Sequence, residues 1–304
     1  MMRPLATAGN VNVDLILGPL APWPQPGTEV LCPQDDTRIG GAAGNAALAW
    51  QAMGVPFQIA ATTGSDMYGD WLRAGFGSMA ARWPRAPVRT TISVGVTHPG
   101  GERTFLTTAG HLPAFTWNDV ENQIDWPALA GGLLLLCGSF LSPRLAQRYD
   151  ALFDRCAALG IGVALDTGWP LDGWTEDTRQ ATLGWAARSE ILLLNEIEAM
   201  QLSGAPDVNG ALHALADHLP DNGIAVIKRG PLGAMAMHRG QRYGASAPAV
   251  EVIDTIGAGD IFNAAFLAEL AQAGPGAALT RATRIASRAV STSPRQYQPQ
   301  EIPA

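Results

Sequence analysis

The chain has 304 residues, 47% of them hydrophobic and 15% charged, which suits a folded globular chain of one large α/β domain or two small ones rather than a disordered one. A net charge of -7 and a pI near 5.2, with scattered arginines and Lys228 as the only lysine, argue against nucleic acid as a partner, because phosphate backbones are held by clustered positive charge. Cys32, Cys137 and Cys156 are widely spaced and form no CxxC pair, so a reducing compartment is expected rather than a disulfide framework or a zinc site.

From the amino terminus, "MMRPLATAGNVNVDLILG" has no apolar run of signal-peptide length, and no later stretch nears the roughly 20 apolar residues that span a membrane. A cytoplasmic location without membrane contact is expected. Residues 28 to 38, "TEVLCPQDDTR", are rich in β-formers and are followed by a helical pattern over 42 to 53. The apolar run "FQIAAT" (57 to 62) predicts a strand and 67 to 80 a helix. Residues 88 to 108 again alternate in polarity without a helix, turning at "HPGGE" (98 to 102). The rest alternates strictly, with strands at "GGLLLLCG" (131 to 138), "IGVALD" (161 to 166), "EILLLN" (190 to 195) and "GIAVIKRG" (223 to 230). Helices are predicted at 143 to 159, 176 to 188, 208 to 218 and 259 to 273.

Wholly apolar strands are covered on both faces, so the alternation predicts a doubly wound, mostly parallel sheet with helices on both sides. The two β-rich stretches form a small separate sheet, too small to hold a core of its own, that covers an opening in the main sheet or pairs with another subunit.

The common nucleotide and hydrolase motifs are missing. The single lysine, in "VIKRGP", excludes a standard P-loop, and "GGAAGN" (40 to 45) lacks the GxGxxG order. His213 and His218 are five apart, off a common helix face for a metal. No GxSxG elbow occurs.

What remains is "DTIGAGD" (254 to 260), two glycines between aspartates just before an apolar helix. The unpaired N–H groups of a helix start attract an anion. Asp260, placed there, would repel a phosphate unless its task is to take a proton from whatever attacks that phosphate. Helix capping is the plainer reading of the same residue.

Several spaced stretches together resemble the PfkB, or ribokinase-like, family of carbohydrate and nucleoside kinases. "GGAAGNAALAWQAMG" (40 to 54) is similar to its first signature and "DTIGAGDIFNAAF" (254 to 266) to its second, with "TGSDMYGD", "LNEIEAM" and "VIKRGPLGAM" between them in order and "GNVNVDLIL" (9 to 17) similar to its opening strand. The resemblance covers nearly the whole chain. It implies a single ribokinase-like domain over 1 to 304, doubly wound with a β lid formed by about 15 to 38 and 88 to 110. It implies Asp260 as general base, with Gly257, Ala258 and Gly259 building an anion hole for the transferred phosphate. On the acceptor side it implies Asn12 and Asp14, at the end of the opening strand, with Gly40, Gly41, Asn45 and, in the lid, Arg103.

On the nucleotide side the resemblance implies ATP and Mg2+, with Asn195 and Glu198 organising the ion through water and Lys228, Gly230 and Gly233 beside the phosphates. Asn195 and Glu198 equally fit a helix capping box. Asp254 is similar to the carboxylate that holds a monovalent cation, K+, behind the anion hole in some members, and equally fits a turn cap. Gly138 and Ser139 stand where ribokinases carry a sugar-binding glutamate, so ribose is not implied. The expected activity is phosphorylation of a small sugar. A nucleoside kinase and a sensor without turnover are the alternatives, and a homodimer through the lid edge is a further expectation.

Overall fold

A computed structural model describes residues 3–99 and 103–297. In chain order it runs β1 (Leu5–Ala8), β2 (Asn12–Gly18), β3 (Gln34–Gly40), α1 (Ala42–Ala52), β4 (Phe57–Ala60), β5 (Thr63–Gly64), α2 (Met67–Phe76) and β6 (Arg85–Ala86). Next come β7 (Ile92–Thr97), β8 (Arg103–Thr107), α3 (Trp117–Gln123), α4 (Trp126–Leu129), β9 (Leu133–Cys137), α5 (Pro143–Ala146), α6 (Tyr149–Ala158) and β10 (Gly162–Asp166). The remainder is α7 (Glu176–Ala186), β11 (Ile191–Asn195), α8 (Glu196–Ser203), α9 (Val208–His218), β12 (Ile224–Lys228), β13 (Ala234–His238), β14 (Gln241–Ala245) and α10 (Ala258–Val290).

Eight strands form the main sheet in the order β14-β13-β12-β11-β10-β9-β1-β4, parallel from β12 to β4 with an antiparallel hairpin at one edge. Its central strands are largely apolar because both faces are covered, and β9 is apolar at every position. Leu133, Leu135 and Cys137 of β9 join a core with α1, α2 and α10, whereas Leu134 and Leu136 join one with α3, α4, α6, α8 and α9. Each fully buried leucine contributes about 1.5–3 kcal/mol, which commits the sheet to two helical layers.

The lid is a second sheet, β3-β2-β7-β8. Its strand β2 corrects the reading of 9 to 17 as one opening strand ending at Asn12 and Asp14. The chain leaves the main sheet after Ala8, residues 9 to 11 form a junction where the Asn10 side chain and carbonyl accept from Ala42 N and Gly44 N, and Asn12 then begins the lid. Both segments are apolar, so hydropathy does not separate them. The lid strand expected over 28 to 38 begins at Gln34 and continues to Gly40, and the turn at 98 to 102 falls partly on residues 100 to 102, outside the described residues.

The helix expected over 143 to 159 is interrupted between Ala146 and Tyr149. The last helix runs beyond 273 to Val290, with a break at Gly274 (φ 76°) just before Pro275, which cannot donate to the ladder. Among the described residues no helix is long and apolar enough to cross a membrane.

Candidate active site

Neighbouring parallel strands end on polar residues. β10 stops at Asp166, β11 at Asn195 and β12 at Lys228, so the carboxyl edge of the sheet collects three functional side chains in a row. Crevices at that edge are where open α/β sheets bind ligands. Lys228 Nζ donates to Asp166 Oδ2 (2.7 Å) and to Asn263 Oδ1 (3.2 Å), while Asn263 Nδ2 donates to the same Asp166 oxygen (2.5 Å). Burial acts to lower the Lys228 pKa, but Asp166 and Glu198 more than offset it, so the ammonium is held above its usual range.

Asn195 and Glu198 form the capping box that the sequence allows. Asn195 Oδ1 accepts from Glu198 N (2.9 Å), and Glu198 Oε2 accepts from Asn195 N (3.0 Å). Glu198 is buried, and desolvation followed by repulsion from Asp166 pushes its carboxyl up to about 7. Two carboxylates around one lysine form a donor set that suits Mg2+. Among the described residues no three His, Cys, Asp or Glu side chains converge on a metal position, so such an ion would be held through water and phosphate oxygens.

Asp260 lies in the first turn of α10. Its Oδ2 accepts from Asn45 Nδ2 (2.9 Å), which joins the two signature segments across 215 residues. Enclosure in protein raises its carboxyl to about 7, with Asp166 the largest charge acting in the same direction and the Asn45 hydrogen bond opposing both. Gly257 starts the helix at φ 76°, and a Cβ there would stand 2.8 Å from Asn45 Nδ2, so glycine serves both the turn and the approach of that amide.

The helix start corrects one detail of the expected anion hole. Ala258 N donates to the Thr255 carbonyl (3.1 Å), so that N–H is used within the turn. The N–H groups of Gly257 and Gly259 have no backbone acceptor among the described residues.

Facing this turn, Asn12 Nδ2 donates to Asp14 Oδ1 (2.8 Å), and Asn10 Nδ2 approaches Asn12 Oδ1 (3.5 Å). Asp14 is buried, and desolvation lifts it to about 6 against the opposing pull of Arg38. Gly40 lies opposite Asn12 in the β2–β3 register, where any side chain would overlap the Asp14 carboxylate, and Gly41 precedes α1 beside the same asparagines.

Other expected residues lie elsewhere. Arg103 opens β8 opposite Thr97, four residues along β7 from Ser93, the partner of Asp14. At about 3.3 Å per residue, plus two strand spacings of about 4.8 Å, this sets Arg103 at the far end of the lid. Gly230 and Gly233 shape the turn between β12 and β13, where Arg229 N donates to the Gly233 carbonyl. A surface cavity of about 360 Å3 lined by Phe153, Ile161, Arg188, Glu190 and Asn222 opens at the opposite, amino-terminal end of the strands and contains none of these groups.

The K+ expectation for Asp254 does not fit the arrangement. Asp254 Oδ2 accepts from Arg38 Nη1 (2.5 Å) and from Arg295 Nη2 (2.5 Å), and Oδ1 accepts from Ile256 N (2.8 Å). Burial raises this carboxyl, but the two arginines and the Ile256 amide outweigh it and leave the pKa below its usual value. A carboxylate engaged by two guanidiniums has no charge left for a cation.

Sequence reasoning missed Asp166, Asn263, Asn10 and Arg295. An aspartate ending an apolar strand, as in "VALD", was the available signal for the first, and the one-turn spacing from Asp260 for the second.

A lidded, doubly wound sheet whose carboxyl edge holds a raised-pKa carboxylate beside free helix-start N–H groups defines an α/β enzyme equipped for transfer of an anionic group. The family model described as pfkB family carbohydrate kinase matches residues 2–303. A deoxyribokinase of Salmonella typhi is 25% identical over 289 residues, covering 89% of this chain and 86% of its own, and a fructokinase of Rhizobium leguminosarum bv. trifolii is 28% identical over 244 residues, covering 76% and 71%. Among solved structures, Arabidopsis thaliana ribokinase complexed with ribose and ATP superposes with a TM-score of 0.75 at 21% identity, covering 96% of this chain and 94% of that one. An E. coli protein in complex with ATP and Mg2+ gives 0.76 at 19%, covering 96% and 94%. The chain belongs to the pfkB family of carbohydrate kinases, and its class of reaction is ATP-dependent phosphorylation of a sugar.

Proposed function

We propose that the chain transfers the γ-phosphoryl group of ATP to a hydroxyl of a small monosaccharide or sugar acid, with Asp260 as general base. The observation that carries this reading is the joint placement of Asp260 and the unengaged N–H groups of Gly257 and Gly259 on one turn, opposite the Asn12–Asp14 pair. Asp260 takes the proton of the acceptor hydroxyl as its oxygen bonds to phosphorus and ADP leaves. A base with a pKa near the working pH is the effective one, and burial and Asp166 bring Asp260 to about 7.

The two N–H groups stabilise charge on the transferring oxygens, a contribution worth about 3 kcal/mol per donor in comparable sites. Asn45 holds Asp260 in place, and Lys228 supplies fixed positive charge. Asp166 and Glu198 would hold Mg2+ through water, and the bound ion neutralises phosphate charge. Asn12 and Asp14 bind acceptor hydroxyls, with Gly40 and Gly41 leaving room for the Asp14 carboxylate and the Asn12 amide. The free cysteines suit a cytoplasmic enzyme.

The relatives named deoxyribokinase and fructokinase support a sugar rather than a nucleoside. The test is ADP release with ATP and Mg2+ against pentoses, hexoses, sugar acids, phosphosugars and nucleosides. Selective turnover of one sugar, lost in Asp260→Ala, supports the reading. Turnover of nucleosides alone, or undiminished turnover in the variant, refutes it.

A further inference from the structure

Behind the Gly257–Gly259 turn lies a charge arrangement that the proposed proton transfer does not itself use. Asp254 is the hub, and each of its oxygens is engaged, Oδ1 by Ile256 N and Oδ2 by both Arg38 and Arg295. Arg295 Nη2 also donates to the Ile256 carbonyl, so a single guanidinium nitrogen ties the hub to the backbone one residue before Gly257. The same strand of turn is anchored from the other side, since Ile253 N and Asp254 N both donate to the Val290 carbonyl at the end of α10 (2.8 and 3.1 Å).

A carboxylate oxygen and a backbone carbonyl converging on one positive centre are oxygen donors of the kind a hard cation takes. In this chain the Arg295 nitrogen occupies that position. Charge accounting gives the same answer. Arg38 and Arg295 together bring two positive charges to the single negative charge of Asp254. Asp36 also reaches Arg38, at 3.5 Å, but its side chain is 57% exposed and its charge is screened by water. Asp14 faces both arginines from β2. Arg295 is only 15% exposed, and Asp254 is its one ion-pair partner among the described residues.

We propose that Arg295 is a built-in replacement for a monovalent cation, a positioning residue that keeps the turn around Ile256 fixed and supplies positive charge behind the N–H groups, so that this kinase needs no K+ or Na+. Arg38 extends the same hub into lid strand β3, linking the turn to the acceptor side. The inference rests on the reading of Gly257 and Gly259 as the anion hole.

The test measures kcat and KM in tetramethylammonium, sodium, potassium and rubidium chlorides at one ionic strength, for the native chain and for Arg295→Met and Arg295→Lys. The native enzyme is expected to respond to none of these ions. Arg295→Met should lose about tenfold or more in kcat, with a smaller change in KM for the sugar. Added guanidinium or K+ should restore part of that loss, and Arg295→Lys should retain more activity than the methionine variant.

Several-fold activation of the native enzyme by K+, or an Arg295→Met variant with native kcat, overturns the proposal. A loss in Arg295→Met that no cation rescues, with folding intact by circular dichroism, overturns it too. Anomalous diffraction from crystals grown in rubidium chloride gives a readout independent of turnover. Rubidium beside Asp254 in the native protein refutes the replacement, whereas its presence only in Arg295→Met supports it. If no acceptor is phosphorylated at all, the kinase reading is what fails, and the rubidium maps decide this inference alone.

Discussion

The two sides of the cleft are held together by different means. On the side we propose for the acceptor, Asn10, Asn12 and Asp14, and separately the pair Asn45–Asp260, are joined by amide hydrogen bonds, which fix orientation without adding charge. On the side we propose for the nucleotide, Asp166, Lys228, Glu198 and Asn263 form a charge cluster in which one lysine answers two carboxylates. An amide relay suits a neutral ligand whose hydroxyls must be read one by one. A charge cluster suits an anion, because its fields reach the ligand without demanding one geometry. Asp260 belongs to both, oriented by Asn45 and electrically tuned by Asp166.

The largest effect should come from removing that shared residue. Asp260→Asn should lower kcat by about a thousandfold or more, measured as ADP release. It should also stabilise the fold. The carboxyl titrates near 3.8 when unfolded and about 7 when folded, so stability falls as pH rises between those values. The asparagine variant is therefore expected to melt a few degrees higher at pH 8 and at the native temperature below pH 3.8.

Lys228→Met breaks the charge side. It leaves Asp166 and Glu198 buried without their cation and should cost about 3–5 kcal/mol in a denaturant titration.

Asn45→Ala breaks the amide side, with about a tenfold loss of kcat/KM at neutral pH and little effect on stability beyond the lost hydrogen bond. Because the Asn45 hydrogen bond lowers the Asp260 pKa, the acid limb of kcat/KM should move to higher pH in this variant. Asp166→Asn sharpens the contrast by acting in the opposite direction. It removes the charge that raises Asp260, so the acid limb should move to lower pH. Arg103→Ala, at the far end of the lid, should change kcat/KM by less than about twofold.

These differences also explain what the sequence made legible. The Asp260 turn could be read because glycines mark backbone needs that few other residues meet, and because two signatures far apart in the chain agreed. Leu133–Leu136 read as a strand buried on both faces, which is where it lies. The charge cluster was only half visible. Lys228 stood out as the single lysine, but Asp166 looks like any polar strand end until β10 is placed beside β11 and β12. Arg295 was invisible for the same reason, since its partner Asp254 is 41 residues away.

Two omissions were within reach. The hairpin of β13 and β14 turns at Arg239 and Gly240, both at positive φ, and "HRGQ" between β-forming runs carries that signal. Likewise Thr116 and Asp119 form a capping box at the start of α3.

The solitary lysine has a practical consequence. Protein expressed with lysine carrying carbon-13 at its ε position would give one side-chain signal in a two-dimensional NMR spectrum, and that signal would come from between Asp166 and Asn263. On the proposed reading its chemical shift would follow nucleotide arrival and neighbouring protonation in solution without any substituted residue. The chain thus carries a spectroscopic probe of its own at one position among 304.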